Sequence, residues 1–434
     1  MGSDLEAAVV FGSFAVFLIA GMPIPYAIAT PGIVYLLLNG GFSALHAIGL
    51  VSWGSINSFT LTAVPMFILM AQIMMHSGLS TRVYHGLSRV LANIPGGLLQ
   101  VNIAGCAILA ATTGSSVATA ASIGSVALPQ LTERNYDPRL SAGSLAAGGT
   151  LGILIPPSLA MIIYGSFTET SVAQLFMAGV VPGLLLTAMF MAYIGVHAIL
   201  LSRGGTVEQT ATLRERLRAL ADILPFVVLI AGTMGSMYFG LVTPTEAGAI
   251  GCALGAVISA IWGDLTWRSL LAAFKGTVLT VGNILFIVYA AFVFSYGISM
   301  AGVGEQLTSF VVGLHLSKIE FFLATFFLYM GLGCLIETMG MIVITVPLIF
   351  PVISSYGIDP VWFGVILVLF IELGQITPPI GINLFVIQSL WSGKFKDVIL
   401  GAVPFQLIMI AMLVLLVIWP DIALWLPKHM IPGP

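Results

Sequence analysis

The sequence predicts an all-α polytopic membrane protein built from two inverted repeats, each with a re-entrant helical hairpin and a broken transmembrane helix. Three observations predict it. The 434-residue chain is 59% hydrophobic and 7% charged, with a mean hydropathy of +1.10, whereas a typical soluble domain carries about 25% charged residues. Two Pro-Pro pairs, Pro156-Pro157 and Pro378-Pro379, each sit inside a long apolar stretch. The offset of 222 residues between the pairs recurs in the sequence around them.

The crossings follow from apolar runs. Val9 to Ala20, Phe59 to Met75, Leu175 to Leu201, Ile223 to Gly240 and Val398 to Trp419 are each apolar for roughly one bilayer crossing, and the chain has room for about a dozen such segments. The bilayer is thus the first partner, with no soluble domain. Met1 to Glu6 lacks a positive n-region and the first run has no clear cleavage site, so that run is read as a retained span. The net charge of −3 says nothing about nucleic acid, but the 14 basic residues and six histidines are too dispersed for a polynucleotide surface. Cys106, Cys252 and Cys334 stand alone, without a CxxC or His pattern, and read as packing residues.

The repeats are placed by punctuation residues. At the same offset, Pro129 matches Pro351, Asp137-Pro138 matches Asp359-Pro360, Gly152 matches Gly374, and Gly179 with Val181-Pro182 matches Gly401 with Val403-Pro404, without a gap. Unrelated apolar sequences share Leu and Val, but not Pro, Gly and Asp in register. The first repeat is assigned to residues 1–201, a basic linker to 202–222 and the second repeat to 223–434. Arg134 and Arg139 lie in the loop before the first broken helix, while the equivalent loop, Ser354 to Val361, has no Lys or Arg. The linker carries Arg203, Arg214, Arg216 and Arg218, and Lys394 and Lys396 follow the second broken helix. By the positive-inside tendency all but the Ser354 loop are cytoplasmic, so the copies are inverted.

The hairpins are expected at about 95–130 and 317–352, with tips at Ala111-Thr112-Thr113-Gly114-Ser115-Ser116 and at Gly331 to Gly340. Each apolar arm is shorter than the roughly 20 residues of a crossing, which favours re-entry over two spans. Before each hairpin, Thr81 to Asn93 and Val303 to Leu316 read as amphipathic arms on the membrane surface. His76, His85, His197 and His315 are given no ligand role.

The broken helices are expected at about 141–168 and 361–391. A proline inside a helix removes the N–H that would bond the carbonyl four residues back. The pairs would therefore free the carbonyls of Gly152 and Ile153, and of Gly374 and Gln375. Irregular backbone at that depth is tolerated only where it is buried or lines a cavity. Short helices ending at mid-membrane aim N-terminal dipoles at an anion and offer carbonyls to Na+ or H+. Ser115, Ser116 and Thr119 at the first tip, and Glu337, Thr338 and Thr377 around the second, add oxygens that suit hard cations. The alternative for such hydroxyls is interhelical glue. Of the intramembrane carboxylates, Glu337 and Glu372 are best placed for function. Glu246 reads as a cap, and Glu305 and Glu320 as flanking an outer surface helix. No Lys or Arg lies near either break, so an anion would be held by helix N-termini, hydroxyls and bound cations. No HExxH, GxSxG or Ser-His pairing lies near the breaks, so neither catalytic residues nor an organic cofactor are expected.

The runs Gly148-Gly149-Thr150-Leu151-Gly152-Ile153-Leu154-Ile155-Pro156-Pro157-Ser158 and Glu372-Leu373-Gly374-Gln375-Ile376-Thr377-Pro378-Pro379-Ile380-Gly381-Ile382-Asn383-Leu384-Phe385, together with Gly114 to Ala120 and Thr243-Pro244-Thr245-Glu246-Ala247, resemble the large membrane subunit of tripartite ATP-independent periplasmic (TRAP) transporters, the DctM-like family. The resemblance covers nearly the whole chain. It implies an elevator-type, ion transporter superfamily-like permease in the bacterial inner membrane. Its cargo would be an organic acid, such as a C4-dicarboxylate, a keto acid or a sugar acid like sialic acid, driven by Na+ as coupling ion. It also implies a small four-helix membrane subunit (DctQ-like), expected as a separate polypeptide because the chain lacks the extra N-terminal helices of fused members, and a periplasmic substrate-binding protein (DctP-like). Carried over, one Na+ site falls on Ser115, Ser116, Gly152, Ile155 and Pro157, mostly through backbone oxygens, and a second on Gly333, Glu337, Gly374 and Thr377. Thr119, Ser158 and Asn383 would face substrate. Glu337 would tune cation binding or the substrate charge tolerated. A stand-alone cation-coupled anion symporter or a Na+/H+ antiporter of related architecture is the competing reading.

Overall fold

The computed structural model describes residues 12–14, 16–17, 20–201, 213–300 and 302–431. The start of the first apolar run and residues 202–212 of the basic linker lie outside the described residues. What is described of the linker, from Leu213, is already the start of a helix that enters the bundle.

Among the described residues every regular element is helical. In chain order the first half comprises α1 (Ile24–Ile56), α2 (Ala63–His76), α3 (Leu79–Val90), α4 (Leu98–Thr113), α5 (Ser116–Glu133), α6 (Pro138–Leu154), α7 (Leu159–Thr168) and α8 (Val172–Leu201). The second comprises α9 (Leu213–Tyr238), α10 (Pro244–Trp262), α11 (Trp267–Met300), α12 (Val303–Gly313), α13 (Lys318–Gly333), α14 (Thr338–Ser355), α15 (Pro360–Gln375), α16 (Ile382–Leu390), α17 (Phe395–Ile418) and α18 (Asp421–Lys428). Six of these, α8, α9, α10, α11, α14 and α17, contain a stretch long and apolar enough to cross a membrane.

The repeated punctuation has a local cause. α5 begins at Ser116 and α14 at Thr338; α6 begins at Pro138 and α15 at Pro360, both pairs at the sequence offset. Each Asp-Pro pair is a helix start. Asp137 Oδ1 accepts the Leu140 N–H at 2.8 Å, and Asp359 Oδ1 accepts those of Val361 and Trp362 at 2.8 and 2.9 Å. The proline that follows has no N–H to leave orphaned in the first turn. Each Pro-Pro pair is a helix end. α6 stops at Leu154 and α15 at Gln375, and both Pro-Pro bonds are cis. α7 restarts with Ser158 Oγ accepting the Met161 N–H at 3.4 Å, bent 40° from α6. α16 restarts after Gly381, whose φ of +58° a side chain rarely adopts.

α6 and α15 form the innermost layer. Every residue from Leu140 to Leu154 and from Val361 to Gln375 is buried, which is the pattern of helices enclosed on all sides. Two contacts join their opposite ends. Tyr164 Oη, late in the first broken helix, donates to the Pro360 carbonyl at the start of the second at 2.8 Å. Arg139 Nε, early in the first, pairs with Asp397 Oδ1, just after the second, at 3.0 Å. The broken helices therefore run antiparallel. The outer helices bare apolar faces, such as Leu38, Phe42, Leu50 and Trp53 on α1, each more than 70% exposed.

The surface arm α3 is bent 68° from the helix before it. It buries Leu79, Val83, Tyr84 and Leu87 and leaves Arg82, His85 and Arg89 exposed. Tyr84 Oη donates to Asn102 Oδ1 at 3.2 Å, and Asn102 Nδ2 donates to Ser144 Oγ at 3.0 Å. One chain of buried side chains thus ties arm, hairpin and broken helix. Glu246 and Glu320 both complete capping boxes, with Thr243 and Ser317. Glu320 starts the first hairpin arm of the second half instead of flanking the surface helix before it, and the Glu305 side chain lies outside the described residues.

Candidate functional site

Each hairpin tip lands on a helix break. At the first, Gly114 ends α4 in the left-handed region (φ +60°), and its carbonyl accepts the Leu159 N–H at 3.4 Å. A Cβ on Gly114 would stand 2.8 Å from the Pro157 carbonyl. A Cβ on Gly152 would stand 2.5 Å from the Ser115 carbonyl. Ser115, Ser116, Gly152 and Pro157 are thereby gathered at one tip-on-break contact, while the Ile155 side chain packs against Gly183 on α8. The Ser115 carbonyl already accepts from the Thr119 N–H at 3.0 Å and from Thr119 Oγ1 at 2.8 Å, while Thr113 and Thr119 share a hydroxyl bond of 2.6 Å.

The second contact sets glycine against glycine. A Cβ on Gly333 would fall 2.6 Å from Gly374 Cα, and one on Gly374 would fall 2.8 Å from both Gly333 Cα and the Tyr329 carbonyl. Cys334 Sγ lies 3.5 and 3.3 Å from the carbonyls of Thr377 and Pro378. Gly374 differs from expectation. Its carbonyl, released by Pro378, takes the Thr377 N–H at 3.1 Å in a tight turn, with the Ile376 N–H shared between it and the Leu373 carbonyl. Thr377 Oγ1 donates to the Leu373 carbonyl at 2.6 Å and accepts from Gln406 Nε2 at 3.3 Å. Gln406 Nε2 also donates to the Ile376 carbonyl at 2.5 Å, so this α17 amide props the break.

Between the tips lies a cavity of about 340 Å³. The first tip contributes Thr113, Ser115 and Ser116, the second Glu337 and Thr338, and α15 adds Gln375, which donates through Nε2 to Thr338 Oγ1. The N-termini of α5 and α14 therefore open into the same space, where the positive ends of the helix dipoles favour an anion. Glu337 is the one charged residue among those lining it. Thr119, Ser158 and Asn383 do not line it. All three are fully buried: Thr119 is held by the tip, Ser158 caps α7, and Asn383 Nδ2 donates to Ser116 Oγ.

The far wall comes from outside the repeat motifs. Gln72 on α2 and Thr280 and Asn283 on α11 face the hairpin tips. Sequence reasoning passed over them, although a lone amide in an apolar span is a signal in itself. Gln406 was missed for the same reason. Among the described residues no cluster of His, Cys, Asp or Glu is placed to hold a metal ion, so the oxygen atoms at the tips and breaks are what a hard cation would find.

Comparison with known proteins decides the family. Residues 11–422 match the model of the tripartite ATP-independent periplasmic transporter, DctM component. The chain belongs to the DctM family. This DctM chain is 31% identical to the C4-dicarboxylate TRAP transporter large permease protein DctM of Rhodobacter capsulatus, over 98% of the chain and 99% of that protein. It is 32% identical to the ectoine/5-hydroxyectoine TRAP transporter large permease protein UehC of Ruegeria pomeroyi, over 97% and 98%. The crystal structure of the Alcanivorax borkumensis YdaH transporter is similar in fold, with a TM-score of 0.63 at 12% identity, covering 97% of this chain and all of that one. The DctM chain is therefore a multi-pass permease subunit of a transporter and not an enzyme.

Proposed function

We propose that this DctM chain is the large permease subunit of a Na+-coupled importer in the bacterial inner membrane. It works with a small four-helix membrane subunit and takes an organic acid from a periplasmic binding protein. The observation that carries this reading is the pair of tip-on-break contacts facing one cavity whose lining lacks any basic residue. An acidic substrate there needs positive charge from elsewhere. Two helix N-termini supply part of it and cations at the two breaks supply the rest. Gly152, Ile155 and Pro157 with Ser115 and Ser116 would hold one Na+, and Gly333, Glu337, Gly374 and Thr377 a second. Thr119, Ser158 and Asn383, buried behind the tip, would act on substrate only through the groups they hold in place.

Two inverted repeats moving a central unit as an elevator are part of the same proposal. The antiparallel broken helices support inversion, as does the Arg139–Asp397 pair, which puts the basic loops of both copies on one side. The substrate class is an organic acid or an acid-bearing zwitterion, since relatives of equal similarity are named for C4-dicarboxylate and for ectoine.

Uptake into proteoliposomes holding both membrane subunits, with the binding protein outside, tests the proposal: a Na+ gradient at constant pH should drive accumulation. Thr377→Ala and Glu337→Gln should each raise the Na+ concentration for half-maximal uptake several-fold, because a lost hydrogen-bonding or charged ligand is worth about 1–3 kcal/mol. Unchanged Na+ activation in both would remove the second cation site. Asn283→Leu should raise KM for substrate roughly 2- to 10-fold at unchanged Na+ dependence, the effect of losing one neutral hydrogen bond of about 0.5–1.5 kcal/mol. An unaltered KM would take the α11 wall out of the substrate site.

A further inference from the structure

Beyond the two breaks, one more set of buried oxygens sits where the halves of the molecule meet. Ser116 Oγ, at the first tip, donates to Glu372 Oε2 on α15 at 3.0 Å and accepts from Asn383 Nδ2 on α16 at 2.5 Å. Ser116 is 1% exposed and the other two are 0% exposed. A serine hydroxyl has a single proton to give. With that proton on Glu372, Asn383 has to present its nitrogen to Ser116, and its carbonyl oxygen is left to face something else. Glu372 Oε1 and Asn383 Oδ1 are both buried without a hydrogen-bond partner. Gln375 Oε1, one turn along α15, is a third such oxygen. Among the described residues no Lys, Arg or His forms an ion pair with Glu372. Two buried acceptor oxygens without donors, on side chains that share one serine hydroxyl, are what a buried cation site looks like when only protein atoms are considered.

We propose that a sodium ion binds at this junction, with Glu372 Oε1 and Asn383 Oδ1 as its side-chain ligands, as a third coupling ion separate from those at the two breaks. The inference rests on the Na+-coupled reading of the site. The ligands are all hard oxygens, and one carboxylate balances one monovalent charge, so the occupied site is neutral inside the apolar core. Glu372 lies 256 positions from Ser116 in the chain. An ion here joins the first hairpin to the second broken helix, which makes the loaded unit of both halves move together.

The test is a count of bound ions: equilibrium binding of radioactive Na+ to the full chain purified with its small membrane subunit. Glu372→Gln keeps an acceptor for Ser116 but removes the charge, and should bind one Na+ fewer per chain than the native protein. The steepness of Na+-activated uptake should fall with it. Asn383→Leu reads the same count if Glu372→Gln is not recovered folded. A native Na+ count in either folded variant overturns the third site while the two break sites stand. A native protein that binds no Na+ overturns the coupled reading itself.

Discussion

Gly374→Val is expected to abolish Na+-driven uptake. The Cβ it introduces would stand 2.8 Å from Gly333 Cα and from the Tyr329 carbonyl, and these are backbone atoms with no rotamer to change. Overpacking of this kind costs about 1–3 kcal/mol even where side chains can yield. Here the second hairpin has to back away from the break. That displacement separates Gly333 from Gly374 and Thr377, and binding constellations tolerate only about 0.5 Å of error. The loss should exceed that of Thr377→Ala, which removes one hydroxyl and leaves the carbonyls in place. The decisive measurement is the Na+-induced rise in unfolding temperature of the detergent-solubilised protein, together with uptake. Both should vanish in Gly374→Val. A variant that responds to Na+ like the native chain would show that the glycine crossing is packing alone.

What could be read from the sequence was what the backbone dictates directly. Asp-Pro and Pro-Pro pairs start and stop helices by their own covalent chemistry, so the offset located both ends of α6 and α15 without any tertiary information. The glycines at the tips and breaks, read from the sequence as punctuation and as freed carbonyls, are in the fold also close backbone approaches, Gly152 to Ser115 and Gly333 to Gly374. What could not be read depends on who faces whom. The bond from Ser116 to Glu372 joins positions far apart in the chain, and nothing in either local run announces it. Asn383 is expected at substrate from its motif, and nothing in that motif announces that its Nδ2 donates to Ser116. The cavity wall comes from α2 and α11, which carry no repeat punctuation, so only their isolated amides Gln72 and Asn283 could have marked it. The basic stretch around Leu213 looked like a loop because its charges mask a helical run that continues into the apolar α9.

Gly401→Leu is expected to prevent recovery of the folded protein, a larger effect on stability than any substitution at the tips. A Cβ on Gly401 would coincide with the Arg139 carbonyl at the start of α6, and its partner position Gly143 has no more room against the Gly401 backbone. Its repeat mate Gly179 presses the other end of the same helix, with a Cβ position 2.5 Å from the Leu154 carbonyl. The two offset-related glycines thus let α8 and α17 close on the two ends of a helix buried along nearly its whole length. Helices in lipid gain nothing from hydrophobic expulsion and depend on such close contacts between small residues. A leucine has to push α17 off α6 and release the Arg139–Asp397 pair with it. Gly331→Leu, on an exposed face with nothing within 4 Å of its Cβ position, is the matched control and should be nearly neutral in yield and unfolding temperature. Equal behaviour of the two variants in size-exclusion profile and melting would mean that α6 is held by something other than its glycine contacts. The antiparallel pairing of the broken helices would then have to rest on Tyr164 and the buried faces of α15.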